Sequence, residues 1–190
     1  PESLAPFMRR RSVRAFTPDP VPEAIVRGLF AAAQSAPTSC NLQLWSAVSV
    51  QDPARRAEMA RLCADQDQIP QAAWFFAFLA DHRRLDRAAR AAGKDPAGLD
   101  TVEFFAMAIV DAALAAERMA CAAESLGLGV CYIGALRNNV DGVKSLLGLP
   151  ERVFPIFGWC LGRPADVAER IKPRLSQEAV WFRECYNAAT

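Results

Sequence analysis

Positively charged side chains near the start of the chain have a spacing that could bind an anion. Arg10, Arg11, Ser12 and Arg14 stand close together, and the prolines that follow keep this stretch out of a helix. In an extended chain alternate side chains share a face, so Arg10, Ser12 and Arg14 should point together. Two guanidinium groups beside a hydroxyl form a good cradle for a phosphate. The spacing alone nevertheless favours a solvated basic run, so both interpretations stay open.

Two further segments carry groups suited to binding. The loop at 37–43 is dense in small hydrogen-bonding side chains behind a rigid proline, and it could bind the polar edge of a heterocycle. An ordinary helix-to-strand connection explains that loop equally well. Lys172 and Arg174 flank a proline in the tail and could close over an anion, although a solvated surface turn is the favoured interpretation.

Several common catalytic patterns are missing from the sequence. No glycine-rich strand-to-helix fingerprint and no P-loop is present, and nothing has the spacing of metal ligands. The single histidine, His82, lies in a charged stretch that predicts a solvated helix start rather than a catalytic triad. We therefore expect no metal and no catalytic side chain. Anion cradles without a nucleophile or base suit a protein whose chemistry comes from a bound phosphorylated cofactor.

Composition narrows the class of protein. The 190 residues are 52% hydrophobic and 23% charged, as in a soluble globular domain, and the net charge is +1. Such a balance gives no global attraction to nucleic acid or to a membrane surface. The six cysteines form no C-x-x-C pair and several lie in apolar runs. Reduced core thiols of this kind predict a cytoplasmic protein.

One long helix organises the elements that must position these groups. Between Phe104 and Leu126 the polar side chains fall within roughly 140° of arc at the helical period, and the remaining arc is apolar and rich in alanine. So wide an apolar arc predicts burial on two sides, with a second subunit as one candidate for the outer cover. The charges within the helix exclude a membrane span.

The remaining pattern predicts an α+β fold with a central mixed β-sheet of four or five strands flanked by helices. Predicted strands at 45–50, 74–80, 130–133 and 153–161 alternate with five or six helices. Residues 1–164 would form the core and residues 165–190 a C-terminal arm. The large aromatic side chains of that arm must dock on the same chain or on a partner.

Taken together, five segments resemble the FMN-dependent nitroreductase family, and most closely its nitroreductase A / flavin reductase P branch. They are R-R-S-V-R-A-F, A-P-T-S-C-N-L-Q, E-S-L-G-L-G-V-C-Y-I-G-A-L-R-N-N, F-G-W-C-L-G-R-P-A-D and K-P-R-L. They cover almost the whole chain in the family's order. No single segment would suffice, but the combination is specific.

The resemblance implies that the cofactor-binding residues come from five places in the chain. They match the N-terminal flavin motif, the polar loop, a ring-contacting amide, the strand end beneath the ring and the phosphate clamp of the tail: Arg10, Arg11, Ser12, Arg14, Thr38, Ser39, Asn41, Gln66, Tyr132, Ile133, Gly134, Ala135, Lys172 and Arg174. Arg10 and Ser12 would face the phosphate or ribityl chain. Arg14 would lie near N1 and the C2 carbonyl as electrostatic support.

The resemblance also implies an activity. A homodimer would hold one FMN per subunit in the dimer groove, and NADPH or NADH would reduce nitroaromatics, quinones or flavins by a ping-pong mechanism through flavin N5. The alternatives are a non-catalytic flavin-binding or sensing dimer, and a flavin reductase that serves a partner enzyme.

Overall fold

A four-stranded sheet forms the centre of the molecule, whose computed structural model describes residues 4–165 and 171–188. The strands are β1 (Trp45–Ser49), β2 (Trp74–Asp81), β3 (Gly129–Ile133) and β4 (Val153–Gly162), in the spatial order β1-β2-β4-β3. Strands β2 and β4 lie in the middle, so both of their edges are paired. Core clusters on the two sides of the sheet also bury them, and their sequences are nearly continuously apolar.

Seven α-helices precede or connect the strands in the described part of the chain. They are α1 (Ala5–Met8), α2 (Glu23–Gln34), α3 (Pro53–Leu62), α4 (Gln68–Gln71), α5 (Arg83–Ala91), α6 (Val102–Ser125) and α7 (Val140–Leu147). Asp52 caps α3 as its sequence predicts, because its Oδ1 accepts a hydrogen bond from Arg55 N at 2.8 Å. Gly127 takes a left-handed conformation with φ 72° just after α6, which ends the helix and turns the chain into β3.

The helices lie on both faces of the sheet. Successive side chains of a strand point to opposite faces. Accordingly Phe75 joins a core cluster with Met59 of α3 and Val143 of α7, which we call the α3/α7 layer. Phe76 joins a second cluster with Leu29 of α2 and Met119 of α6, which we call the α2/α6 layer. The α+β class with a helix-flanked sheet is therefore confirmed.

Helix α6 is covered on one side only. Its alanines are fully buried where the helix meets the sheet and α2. On its other side Val110 is 53% exposed and Leu114 is 40% exposed. The apolar arc predicted from the sequence is therefore wider than the part of α6 that the described residues bury. No helix in the described part of the chain combines the length and hydropathy that crossing a membrane needs.

Two expectations about these elements are wrong. The sheet was predicted to be mixed, but the three strand pairings of the described residues are all antiparallel. A helix between two strands permits a parallel crossover without requiring one, and here the chain returns after α7 in the opposite direction. His82 was expected to be solvated, yet it is only 3% exposed, with Nε2 lying 3.1 Å from the Phe104 carbonyl oxygen. Its charged neighbours in sequence gave no sign that α6 would cover it.

Gly158 in β4 offers a test of the packing. A Cβ at this position would lie 2.7 Å from Phe75 Cζ and 3.0 Å from Ile133 Cβ, which is closer than well-packed atoms approach. We expect Gly158→Ala to lower the free energy of unfolding by about 1–3 kcal/mol, as overpacking of a core does. Urea denaturation measures this change. Gly98→Ala is the matched control, because nothing lies within 4 Å of its added Cβ. Equal stability of the two variants would contradict the packing described for β4.

Candidate functional site

The arginines at the start of the chain border a hollow at the edge of β3. Val13 N donates a hydrogen bond to Val130 O at 2.9 Å, and this bond fixes the extended segment against the strand. Gly129 makes the close approach possible, because a Cβ there would lie 2.8 Å from the Val13 side chain. The hollow has a volume of about 250 Å³, and Arg9, Arg10 and Arg11 are among its lining residues.

Arg10 is held at the end of α6. Its Nε lies 3.9 Å from Glu124 Oε1, and its guanidinium carbon lies 5.6 Å from the centroid of the Tyr132 ring. Burial raises the pKa of Glu124, while the positive charge of Arg10 acts in the opposite direction. Glu124 therefore balances part of the Arg10 charge within the chain. Ser12 is half-buried and Arg14 is exposed.

Tyr132 and Ile133, which the sequence assigns to one binding surface, point to opposite faces of the sheet at the end of β3. The Tyr132 hydroxyl donates a hydrogen bond to Glu117 Oε2 of α6 at 3.0 Å, so this side chain points into the α2/α6 layer. Ile133 points the other way and is buried in the α3/α7 layer. Gly134 is exposed, and the atom nearest to its missing Cβ is an Arg137 Nη at 3.4 Å. The accessible surface at this strand end is therefore mainly backbone of Gly134 and the half-buried Ala135.

Gln66 lies in the link between α3 and α4. Its Oε1 accepts a hydrogen bond from Gln68 Nε2 at 2.6 Å, and its backbone carbonyl accepts one from Ile69 N at 3.0 Å. Ile69 is fully buried in the α3/α7 layer, as are Val13 and Ile133. The segments that carry Arg14, Gln66 and Gly134 thus adjoin one core cluster, although they are far apart in sequence.

The polar loop at 38–43 is anchored elsewhere, on the middle of α6. Asp111 is 1% exposed, and its carboxylate accepts hydrogen bonds from Thr38 Oγ1 at 2.5 Å, Ser39 N at 3.2 Å and Leu44 N at 2.9 Å. The sequence pattern gave Asp111 no role beyond that of a polar residue on a largely apolar helix. The signal in the sequence was a single carboxylate within an alanine-rich apolar helix. Such a carboxylate needs hydrogen-bond partners if it is buried.

Arg84 fixes the far end of the same loop. Its Nη2 donates hydrogen bonds to the carbonyls of Gln43 and Trp45, each at 2.6 Å. Its Nη1 donates to Ser46 Oγ at 2.6 Å and to Asp81 Oδ2 at 2.7 Å. The sequence placed Arg84 in a solvated charged stretch and missed this role. A hollow of about 690 Å³ lies beside these groups.

The tail cations do not line the arginine-lined hollow. Lys172 and Arg174 are exposed, and neither is among the described residues that line it. Arg174 Nη1 donates a hydrogen bond to the Lys172 carbonyl at 3.1 Å. In the same arm Trp181 is 63% exposed and Tyr186 is 77% exposed, so both aromatic rings stay largely uncovered by the described residues. The phosphate clamp assigned to the tail stays a prediction. Among the described residues no cluster could hold a metal ion.

Comparisons with known proteins identify what this chain is similar to. The model of the nitroreductase family matches residues 7–163. The chain is 37% identical over 189 residues to an FMN reductase (NADPH) of Bacillus subtilis, covering 99% of this chain and 76% of that protein. It is 41% identical over 177 residues to an oxygen-insensitive NADPH nitroreductase of Salmonella typhimurium, covering 93% of this chain and 71% of that protein.

Solved structures give the same result. The structure of NfrA1 nitroreductase from B. subtilis has a TM-score of 0.94 and 37% identity, covering 98% of this chain and 75% of that one. The structure of an NADPH:FMN oxidoreductase from Vibrio harveyi complexed with NAD+ has a TM-score of 0.90 and 34% identity, covering 98% of this chain and 79% of that one.

The hydrogen bond from Tyr132 to Glu117 predicts a pH behaviour. Burial, and next the charge of Glu117, raise the pKa of Tyr132 far above the ordinary range of a phenol. The folded chain therefore retains the phenolic proton of Tyr132 to a higher pH than the unfolded chain does. The resulting contribution to stability is present at neutral pH and is lost as the pH rises above the ordinary phenol range.

Absorbance titration of the phenolate tests this behaviour. The chain has two tyrosines. We expect the wild type and Tyr132→Phe to give the same alkaline titration curve until the wild type unfolds, as followed by circular dichroism. A smaller phenolate signal from the variant, at a pH where both proteins are still folded, would show that Tyr132 ionises in the native state.

Proposed function

This chain belongs to the nitroreductase family, and from that premise we propose that it is an FMN-dependent NAD(P)H oxidoreductase that reduces nitroaromatics, quinones or flavins. The names of its relatives support this activity, since they include an FMN reductase that uses NADPH and an oxygen-insensitive NADPH nitroreductase. The observation that carries the proposal is an arginine-lined hollow at the start of β3, with exposed backbone at Gly134 after the other end of the same strand, within a fold that matches a nitroreductase at a TM-score of 0.94.

The groups at this edge of the sheet fit FMN. A phosphate dianion needs cations, which Arg10, Arg11 and Arg14 provide, and Ser12 adds a hydroxyl. A flat ring needs a surface without bulky side chains, which the exposed backbone at Gly134 offers. Bound FMN supplies the two-electron redox chemistry between NAD(P)H and the acceptor.

The side chains of the protein bind and orient in this proposal rather than transfer protons. Arg14 would hold the ring by its positive charge, and Gln66 would hold it by its amide. Ile133 and Ala135 would support the surface for the ring, while Tyr132 would take part through its backbone, because its hydroxyl is bound to Glu117. The bound group would supply a ping-pong mechanism, in which reductant and acceptor react in turn.

We further propose that the active unit is a homodimer in which each cofactor site draws on both subunits. Arg10 is anchored at Glu124 and Thr38 at Asp111. These two anchors lie thirteen residues apart on α6, or about 20 Å along the helix. A second copy could bring its loop to the arginines of the first. The exposed Val110, next to the Asp111 anchor, and the exposed Leu114, between the two anchors, give that copy an apolar surface to cover.

The arm at 165–190 has a place in the same proposal. The described residues leave its rings of Trp181 and Tyr186 largely exposed, and we propose that the arm packs on the partner. Lys172 and Arg174 then complete the phosphate site of the core at 1–164. A cytoplasmic location is proposed as well, since Cys63 and Cys160 are buried free thiols.

Flavin content and bleaching test the activity. The purified protein should be yellow, release FMN on denaturation, and lose its colour when NADPH or NADH is added without oxygen. Mixing free FMN with the same reductant is the control for uncatalysed reaction. Colour that persists with both reductants would favour a sensing dimer. A protein that takes up no FMN would contradict the proposed function.

Mixed dimers test the shared site. We expect Arg14→Ala and Asn41→Ala each to weaken FMN binding about tenfold or more, the scale of one lost charge-assisted contact. Co-expressed with different affinity tags, the two variants should form mixed dimers with one unaltered site, which bind about half the FMN of the wild type at wild-type affinity. A mixed dimer of Arg14→Ala with Gln66→Ala is the control, because both of its sites carry one change. If the first mixed dimer binds no better than its parents, the two residues do not come from different subunits.

A further inference from the structure

We infer that Asp111 is a positioning residue for the flavin: its buried carboxylate fixes the loop at 38–44 in the conformation that presents Ser39 and Asn41 to the cofactor. The inference rests on the proposed function. It assigns a role to Asp111 from the contacts that this residue of α6 makes with the loop. Asp111 itself does not touch the ligand in this arrangement.

The carboxylate of Asp111 has partners at both ends of the loop. Oδ1 accepts from Ser39 N, while Oδ2 accepts from Thr38 Oγ1 and from Leu44 N. One side chain therefore joins the first residues of the loop to the residue that follows it. Because Asp111 is almost completely buried, the ionised form depends on these three donors for its solvation.

Thr38 extends the anchor into the loop. Its hydroxyl donates to Asp111 and accepts from Gln43 N at 2.8 Å, so it connects the carboxylate to the other end of the turn. A hydroxyl that donates its only hydrogen to Asp111 has no hydrogen left for a ligand. We therefore assign Thr38 to support of the loop rather than to direct flavin contact, which is left to Ser39 Oγ and the Asn41 side chain.

The loop backbone needs such an anchor. Cys40, Asn41 and Gln43 have φ values of 50°, 55° and 52°, in the left-handed region that L residues adopt with difficulty. Three such residues within four positions should relax once the hydrogen bonds at the loop ends are removed. Asn41 would then leave the orientation in which its amide can meet the ring edge.

Replacement of the carboxylate tests this role. In Asp111→Asn the side chain keeps its shape, but its amide group faces N–H and O–H donors and provides one acceptor oxygen where two are needed. We expect the dissociation constant for FMN, measured by quenching of flavin fluorescence, to rise about tenfold or more, the scale for lost hydrogen bonds to a charged group. Glu103→Gln is the matched control, since Glu103 is an exposed carboxylate on the same helix. The control should bind FMN like the wild type.

A double-mutant cycle distinguishes positioning from general support of the fold. If Asp111 acts by presenting Asn41, then Asn41→Ala weakens FMN binding in the wild type but adds nothing in the Asp111→Asn background. If Asp111 serves stability alone, Asn41→Ala costs the same factor in both backgrounds, and the inference is overturned. Unchanged FMN affinity in Asp111→Asn overturns it as well.

Thr38 provides a second route should Asp111→Asn fail to fold. Thr38→Val removes the hydroxyl and should weaken FMN binding, whereas Thr38→Ser keeps the hydroxyl and should restore it. Equal FMN affinity of the two Thr38 variants would overturn the inference.

Titration of the wild type with FMN distinguishes a failure of the inference from a failure of the proposed function. A wild type that binds no FMN contradicts the proposed function and removes the basis of the inference. A wild type that binds FMN with no effect of these variants contradicts the inference alone.

Discussion

The constraint on which this structure depends is the burial of α6, which lies on the sheet through alanine side chains. Ala112, Ala115, Ala116 and Ala120 are fully buried, and their small size lets the helix approach the sheet closely. Burial of that side accounts for the fold of one chain. It leaves an apolar strip on the opposite side, and an exposed strip of this kind needs another surface to cover it. One helix thus supports both the core of the subunit and the proposed assembly of two subunits.

The same helix also sets where the polar groups lie. Asp111 holds the loop at 38–44 near its middle, and Glu124 holds Arg10 near its end. A rigid helix keeps these two anchors at a fixed separation. Arg10 and the loop at 38–44 are therefore held apart within one subunit. This separation is the physical reason to expect that a complete cofactor site includes parts of two chains.

The chemistry proposed for the chain follows from its binding groups. Positive charge, a hydroxyl and accessible strand-end backbone adjoin the α3/α7 layer, whereas the buried carboxylates and the single histidine are engaged in structural contacts. Asp111 and Asp81 hold the ends of a loop directly or through Arg84, and His82 lies against a carbonyl of α6. These contacts give the two aspartates and the histidine structural roles, and the proposed activity takes its redox chemistry from a bound cofactor.

The sequence by itself determined the elements and the family. The periodicity of the apolar side chains, the helix cap at Asp52 and the helix end at Gly127 are local signals. The elements α3, α6 and β2 therefore form close to where the sequence predicts them. Tertiary structure alone decided strand direction, the burial of His82, and which side of β3 Tyr132 faces, because each depends on elements distant in sequence. The anchoring of Thr38 by Asp111 spans 73 residues, and no local pattern encodes a contact of that range. The proximity of the tail cations to the arginines stays a prediction, since the described residues of one chain leave the large aromatic rings of the arm mostly exposed.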